Sequence, residues 1–256
     1  MLALANEIKG WILEAGEKIK SGLAQNSSLE VLTKKDRKDL VTNVDQEIQQ
    51  FLVEKILLFD PQAKIMGEEN GKDSLTDLSG RVFIIDPIDG TMNFVLEREN
   101  FCVMVALYED GVGKLGFIFN VMKNEFVWGG AEIGVFCNDE RLPEPLDLSL
   151  RDSLVGMNAA MLMKNFKNCQ LIGQEALGVR MTGCAGVELS AILLGRRGGY
   201  VSNLAPWDYA AGNVLLQAFG FSYGTITGEN LRFDGREYYI AGTKSAFAEM
   251  LAIIKA

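Results

Sequence analysis

The sequence predicts a mixed α and β protein, of the α+β (mixed α/β) class, on three observations. From residue 63 onward, short apolar segments alternate with turn residues: "AKIMGEEN", "RVFIIDP", "FCVMVALYEDG", "VGKLGFIFN", "NEFVWGG" and "IGVFCND". Several connections between them are too short for crossovers, which makes those segments antiparallel neighbours. Helical periodicity brackets this β-rich block on both sides.

The elements follow in order. In "MLALANEIKGWILEAGEKIK", Leu4, Ile8, Trp11, Ile12, Ala15 and Ile19 recur at helical spacing and give an amphipathic first helix. The next stretch, "SSLEVLTKKDRKDLVT", is charged and irregular. It reads as a hairpin or mobile loop with Lys34, Lys35, Asp36, Arg37 and Lys38 at its tip, and a solvated turn is the simplest account of that run. A second helical stripe, Val44, Ile48, Phe51, Leu52 and Ile56, runs through "NVDQEIQQFLVEKILLF". Thr42 is its expected N-cap, with Asp45 three residues on as in a capping box. After the β segments, "LPEPLD" at 142–147 is rich in proline and charge. It marks the expected boundary between an N-terminal half, 1–143, and a C-terminal half, 144–256. The second half alternates strand "SLVGMN", a helical stretch from Ala160, strand "ALGVRMTG", helix "AGVELSAILLG", strand "GGYVSN", helix "PWDYAAGNVLLQAFG", strand "EYYIAGT" and a final helix.

Composition bounds the function. A chain of 256 residues can bury a full core as one large domain or two small ones fused at an interface. A net charge of −9 repels nucleic acid and anionic lipid, so neither is an expected partner. It would also repel a phosphorylated substrate unless cations sit in the site. The chain contains no histidine, which removes Ser-His-Asp and Cys-His chemistry and His-ligated zinc. Cys102, Cys137, Cys169 and Cys184 form no C-x-x-C pair and read as buried thiols. No export signal is visible and the apolar runs are too short to cross a bilayer, so a cytoplasmic location is expected.

The chemistry sits in "FIIDPIDGTMNF". Asp86 and Asp89 stand three residues apart at the mouth of an apolar strand. Turn chemistry alone accounts for many such stretches. Three further features point elsewhere. "MGEEN" places Glu68 and Glu69 at the end of another strand, "APWDYAAG" places Asp208 at a helix start, and Gly90 and Thr91 follow Asp89 directly. Asp208 also suits helix capping. Acids at two strand ends and one helix start make sense if they converge on Mg²⁺, which is held by a few carboxylates and substrate phosphate. The cation would remove both the repulsion between the aspartates and that between protein and phosphate.

"MGEEN", "IIDPIDGTMNF" and "APWDYAAG", in this order and spacing, resemble the signature blocks of the inositol monophosphatase family, within the lithium-sensitive, Mg²⁺-dependent phosphatases that include fructose bisphosphatases. The resemblance runs from "DLVTNVDQ" to the C-terminal third. It implies a layered αβαβα sandwich with the site where the halves meet, forming one catalytic unit. It also implies a phosphomonoesterase that uses direct in-line attack of a metal-activated water on a small phosphorylated metabolite, and a homodimer. Two or three Mg²⁺ ions are implied, with Mn²⁺ a possible substitute. Glu68, Asp86 and the carbonyl of Ile88 would hold the first; Asp86, Asp89 and Asp208 the second. A weaker third would use Glu68 near the loop around Lys34. Gly90 and Thr91 amides would bind phosphate, with Asp89 and Asp208 also near the substrate. Thr91, hydrogen-bonded to Asp45, would help activate water, while Glu68 acts catalytically through the metal. Asp45 thus has two readings, cap and activator, compatible if its carboxylate points away from its own backbone.

Gly183, Cys184 and Ala185 align with a segment lining the substrate's ring in relatives; tight helix–strand packing explains "TGCAG" equally well. Inositol-specific relatives usually carry a glutamate seven residues before the W-D aspartate. Here Val201 stands there, which counts against inositol, with Asn203 a polar neighbour; on this reading Val201→Glu raises activity towards inositol monophosphate. NADP, fructose bisphosphate and other sugar phosphates are the alternative substrates. Two rival classes are weaker. A haloacid-dehalogenase-like phosphatase needs D-x-D-x-T, whereas Pro87 and Ile88 separate the aspartates here. A non-catalytic metal- or phosphate-binding regulator would be expected to lack a ligand, and none is missing.

Overall fold

In the computed structural model, residues 1–24, 31–33, 40–69, 75, 77–143 and 145–256 are described. Helices α1 (Leu2–Ala24) and α2 (Asn43–Phe59) pack on each other, with Trp11 edge-on to Phe59 at 5.8 Å between ring centroids. Between them lies an antiparallel hairpin of β1 (Val31–Thr33) and β2 (Leu40–Thr42). The basic tip expected at 34–38 falls outside the described residues.

Among the described residues, two larger sheets carry the fold. One has seven strands in the order β3-β4-β5-β6-β7-β8-β9: β3 (Lys64–Gly67), β4 (Arg81–Asp89), β5 (Cys102–Glu109), β6 (Val112–Asn120), β7 (Glu125–Gly130), β8 (Gly134–Cys137) and β9 (Glu140–Arg141). From β4 onward every pairing is antiparallel, as the short connections require, and β3 joins β4 in parallel. The other has five strands in the order β11-β10-β12-β14-β13: β10 (Leu154–Met157), β11 (Gly178–Arg180), β12 (Gly199–Leu204), β13 (Ser222–Thr225) and β14 (Glu237–Gly242). No strand of one sheet pairs with a strand of the other among these residues.

Side-chain alternation stacks the layers. Along β4, Phe83 and Ile85 face the cluster built on α1 and α2, while Val82 and Ile84 face the opposite one. On β5, Val103, Val105 and Leu107 take the first side and Met104, Ala106 and Tyr108 the second. That second cluster is filled by α6 (Ala185–Leu193) and α7 (Pro206–Ala218), which meet Tyr200, Leu204, Tyr239 and Ala241 of the five-stranded sheet. On that sheet's far face, Val155, Val201 and Ile240 pack with α4 (Ala159–Met163), α5 (Cys169–Glu175) and α8 (Lys244–Lys255). The result is helix, sheet, helix, sheet, helix: the αβαβα sandwich. Both faces of both sheets are covered, so β4, β5 and β6 read as nearly continuous apolar runs; each fully buried aromatic such as Phe117 contributes about 2–3 kcal/mol.

Two elements differ from expectation. The helical stretch after Ala160 breaks into α4, a 3₁₀ turn at Phe166–Asn168 and α5, because Asn165, Lys167 and Asn168 all take left-handed backbone angles. Strand β13 was not expected: "SYGT" is short and polar, and it becomes a strand through its pairing with β14.

Candidate active site

The strand β4 delivers the first two acids. Pro87 has no amide to give the ladder, and the β4–β5 register shifts between Asp86 and Asp89. The chain bulges there, and the Ile88 amide donates back to Asp86 Oδ1 at 3.1 Å. Both aspartates remain buried, at 1% and 7% exposure. Gly90 follows with φ of 87°, a left-handed conformation that glycine takes freely, and opens α3 (Thr91–Leu96). A Cβ at Gly90 would also crowd the Cys184 side chain at 3.1 Å.

The start of α6 captures Asp89. The Ala185 amide donates to Oδ1 at 3.2 Å, the Gly186 amide donates to Oδ2, and the Cys184 thiol donates to Oδ2 at 3.0 Å. The helix's unpaired N-terminal amides and its dipole favour the ionised form. Burial pushes the Asp89 carboxyl up, and these hydrogen bonds oppose it. Ala185, expected on the substrate side, lines the cavity, but its amide is spent on Asp89. The third acid, Asp208, sits in the first turn of α7 after Pro206. Its Oδ2 accepts the Ala205 amide at 2.8 Å and faces the Arg236 guanidinium at 3.4 Å. The capping role is therefore real, and it occupies one of the two oxygens.

Asp86, Asp89 and Asp208 each offer a carboxylate oxygen within 4.8 Å of the others. Burial pushes Asp86 well above the usual carboxylate range, followed by the charges of Glu68, Asp89, Asp208 and Asp45. Asp208 is pushed up to about 7, mainly by burial, against the pull of Arg236. Asp86 Oδ2 is buried without a hydrogen-bond partner. A cluster of buried acids that repel one another, with one oxygen unsatisfied, fits a divalent cation by the chemistry of its donors. Glu68 lines the same cavity just beyond β3, outside the tight set of three.

Asp45 resolves its two readings through its two oxygens. Oδ2 accepts the Thr42 amide at 2.9 Å and the Thr42 hydroxyl, completing the capping box of α2. Oδ1 accepts the Thr91 hydroxyl at 3.2 Å. The carboxylate need not turn from its own backbone, because the cap uses one edge only. The Thr91 hydroxyl also lies 3.1 Å from the Ile88 carbonyl. Burial pushes Asp45 up to about 6, and the Thr42 hydrogen bonds hold it lower than burial alone would.

Val201 is corrected by the structure. It is fully buried among Val155, Ile226 and Ile240, so its side chain joins the core and does not line the cavity. The cavity wall on β12 is made by Tyr200, Ser202, Asn203 and Leu204. Two residues were missed. Buried Gln49 clamps the turn after β3: its Oε1 accepts the Glu69 amide at 2.9 Å and its Nε2 donates to the Glu69 carbonyl. Gly67 leaves room for it, since a Cβ there would lie 2.5 Å from Gln49 Oε1. A glutamine four residues after Asp45, on the same helix face and within an apolar stripe, was the available signal. Arg236, the second, lies in a polar loop with no motif. The loop around Lys34, with the third metal assigned to it, lies outside the described residues.

A family model described as "Inositol monophosphatase family" matches residues 3–255. An inositol-1-monophosphatase of Bacillus subtilis (strain 168) is 37% identical over 242 residues, covering 93% of this chain and 91% of that protein. A fructose-1,6-bisphosphatase/inositol-1-monophosphatase of Thermotoga maritima is 32% identical over 201 residues, covering 78% of this chain and 74% of that protein. A solved structure of an IMPase/NADP phosphatase complexed with Mg²⁺ and phosphate matches with a TM-score of 0.88 at 26% identity, covering 99% of this chain and 97% of that one.

Proposed function

The chain belongs to the inositol monophosphatase family and is a phosphoric monoester hydrolase; from that premise we propose that Mg²⁺ is its working ion and that it hydrolyses a small phosphorylated metabolite by direct in-line attack of water. The observation that carries this reading is the unpartnered Asp86 Oδ2 amid Asp89 and Asp208. Asp86, Asp89 and Asp208 would hold the ions, with Glu68 and the Ile88 carbonyl completing the set. Bound divalent ions acidify water and neutralise charge on a phosphoryl group and its leaving oxygen.

The remaining work falls to the chain. When the Thr91 hydroxyl donates to Asp45 Oδ1, its oxygen lone pairs are left to accept a hydrogen bond from water in the cavity and so orient it, and a proton taken from that water would be matched by the Thr91 proton passing to Asp45. Asp45, raised to about 6, is a base suited to that relay near neutral pH. The amides of Gly90 and Thr91, at the start of α3, are suited to phosphate oxygens. The start of α6 fixes Asp89 and favours its ionised form against the effect of burial, which presets its orientation for a cation. The cavity, of about 420 Å³, takes its walls from both halves of the chain, which supports one catalytic unit. A homodimer in the cytoplasm belongs to the same proposal, and light scattering tests the dimer.

The test is phosphate release from inositol 1-phosphate, NADP and fructose 1,6-bisphosphate. Turnover should stop with EDTA and return with excess Mg²⁺. Turnover indifferent to EDTA, or none with any ester, would overturn the reading.

A further inference from the structure

Resting on the phosphomonoesterase reading, we propose that Arg236 forms a subsite for a second anionic group, a carboxylate or a further phosphate, carried by the leaving group. Among the described residues, Arg236 is the one cation that lines the cavity, and its side chain is 58% exposed. It stands just before β14, at the end of a polar loop. Its Nη1 donates to the Asn203 carbonyl at 3.1 Å, which ties the guanidinium to the wall, and lies 3.4 Å from Asp208 Oδ2. Both contacts use the same nitrogen. A guanidinium carries five N–H donors in a planar fork, and here Nη2 and Nε make no hydrogen bond among the described residues.

The other acids nearby are committed elsewhere. Asp234 lies 3.5 Å from Arg232 Nε, and Glu237 Oε2 accepts the Tyr209 hydroxyl at 3.3 Å and the Arg232 amide at 3.0 Å. Glu188, on the cavity wall, is paired with Arg197 at 2.6 Å. Asp208 is thus the one acid paired with Arg236 among the described residues. A cation held by Asp208 would take up that carboxylate's charge and leave the guanidinium facing the cavity without a counter-charge. Its planar fork matches the two oxygens of a carboxylate or phosphate. The acid cluster and the Gly90 and Thr91 amides mark the place of the phosphoryl group that is transferred. Arg236 instead touches Asp208 on the oxygen that accepts the Ala205 amide and caps α7, so an anion bound there belongs to the rest of the substrate. Such a subsite favours bisphosphates and phosphorylated acids over neutral polyol phosphates of the same size.

The experiment compares matched esters in Mg²⁺: 2-phosphoglycerate against glycerol 2-phosphate, and fructose 1,6-bisphosphate against fructose 1-phosphate. In at least one pair, Arg236→Gln should lower the kcat/KM ratio of the doubly anionic ester over its partner by about tenfold, chiefly through KM. That is the low end for a charged hydrogen bond, because the guanidinium is more than half exposed. Arg236→Lys keeps the charge without the fork, and its ratio should fall between the two. Calorimetric titration of the same esters into Thr91→Val, with and without Arg236→Gln, should show the same loss in Kd with no dependence on turnover. Ratios unchanged in both pairs, with or without an equal fall on every ester, would overturn the assignment. Absence of Mg²⁺-dependent turnover of every ester by the wild type would instead overturn the phosphomonoesterase reading beneath it.

Discussion

Replacing Asp86 by asparagine separates the metal account from a structural one. Asn keeps an Oδ1 acceptor for the Ile88 amide and turns the unpartnered Oδ2 into a donor facing carboxylates. The oxygens of Asp86, Asp89 and Asp208 lie within 4.8 Å of one another, where two like charges repel by about 3.5 kcal/mol at an effective dielectric of 20. The metal-free cluster sheds part of that by holding protons, as the raised Asp86 and Asp208 carboxyls indicate. The remainder, about 1–2 kcal/mol, should raise the melting temperature of the metal-free variant by about 2–8 °C for a chain this size. With Mg²⁺ at a hundred times its Kd, the wild type should gain about 2.7 kcal/mol, and Asp86→Asn should lose that gain. Calorimetric melts in EDTA and across a Mg²⁺ or Mn²⁺ titration, paired with phosphate release, provide the assay. Turnover should fall below about 1% of wild type, a loss of roughly 3 kcal/mol or more in transition-state stabilisation. A metal-free variant less stable than wild type, or one that keeps the metal-induced rise, would refute the reasoning.

Thr91→Val removes the hydroxyl that Asp45 Oδ1 receives and should lower kcat about 10²-fold or more with little change in KM, measured by steady-state phosphate release. Asp45 holds its proton up to about pH 6 when folded but only to 3.8 when unfolded, so the native state binds more protons in between. Its contribution to the metal-free protein is complete below pH 3.8 and is lost as pH rises through about 6, a fall of roughly 3 kcal/mol by denaturant titration in EDTA. Asp208, raised to about 7, extends the decline, and saturating Mg²⁺ should flatten that upper part. Val201→Glu places a carboxyl in a fully buried apolar position and should destabilise the fold by roughly 5 kcal/mol, with no gain on inositol monophosphate; urea melts and a kinetic assay check both parts.

Local signals in the sequence carried far. Asp-Pro and Asp-Gly chemistry marked the mouth of β4 as the place of the chemistry, and Thr42 with Asp45 located the start of α2, because each depends on residues within one turn of chain; the bulge and the left-handed Gly90 came from the structure. Period-2 strands and period-3.6 helices marked the elements, while the layer order was implied by the family resemblance. What stayed hidden was set by distant partners. The capture of Asp89 by α6 joins positions 96 and 97 residues apart. Strand β13 owes its form to β14, and Gln49 meets Glu69 across 20 residues. The side that Val201 faces depends on the pairing of β12 with β14, and a shift of one residue would reverse it.

The most direct test is an anomalous difference map from crystals of the protein grown in Mn²⁺. The account predicts a peak about 2–2.3 Å from oxygens of Asp86, Asp89 and Asp208, with any second ion within reach of Glu68 and the Ile88 carbonyl. A map with no peak among these carboxylates, at a Mn²⁺ concentration that supports turnover, would contradict it.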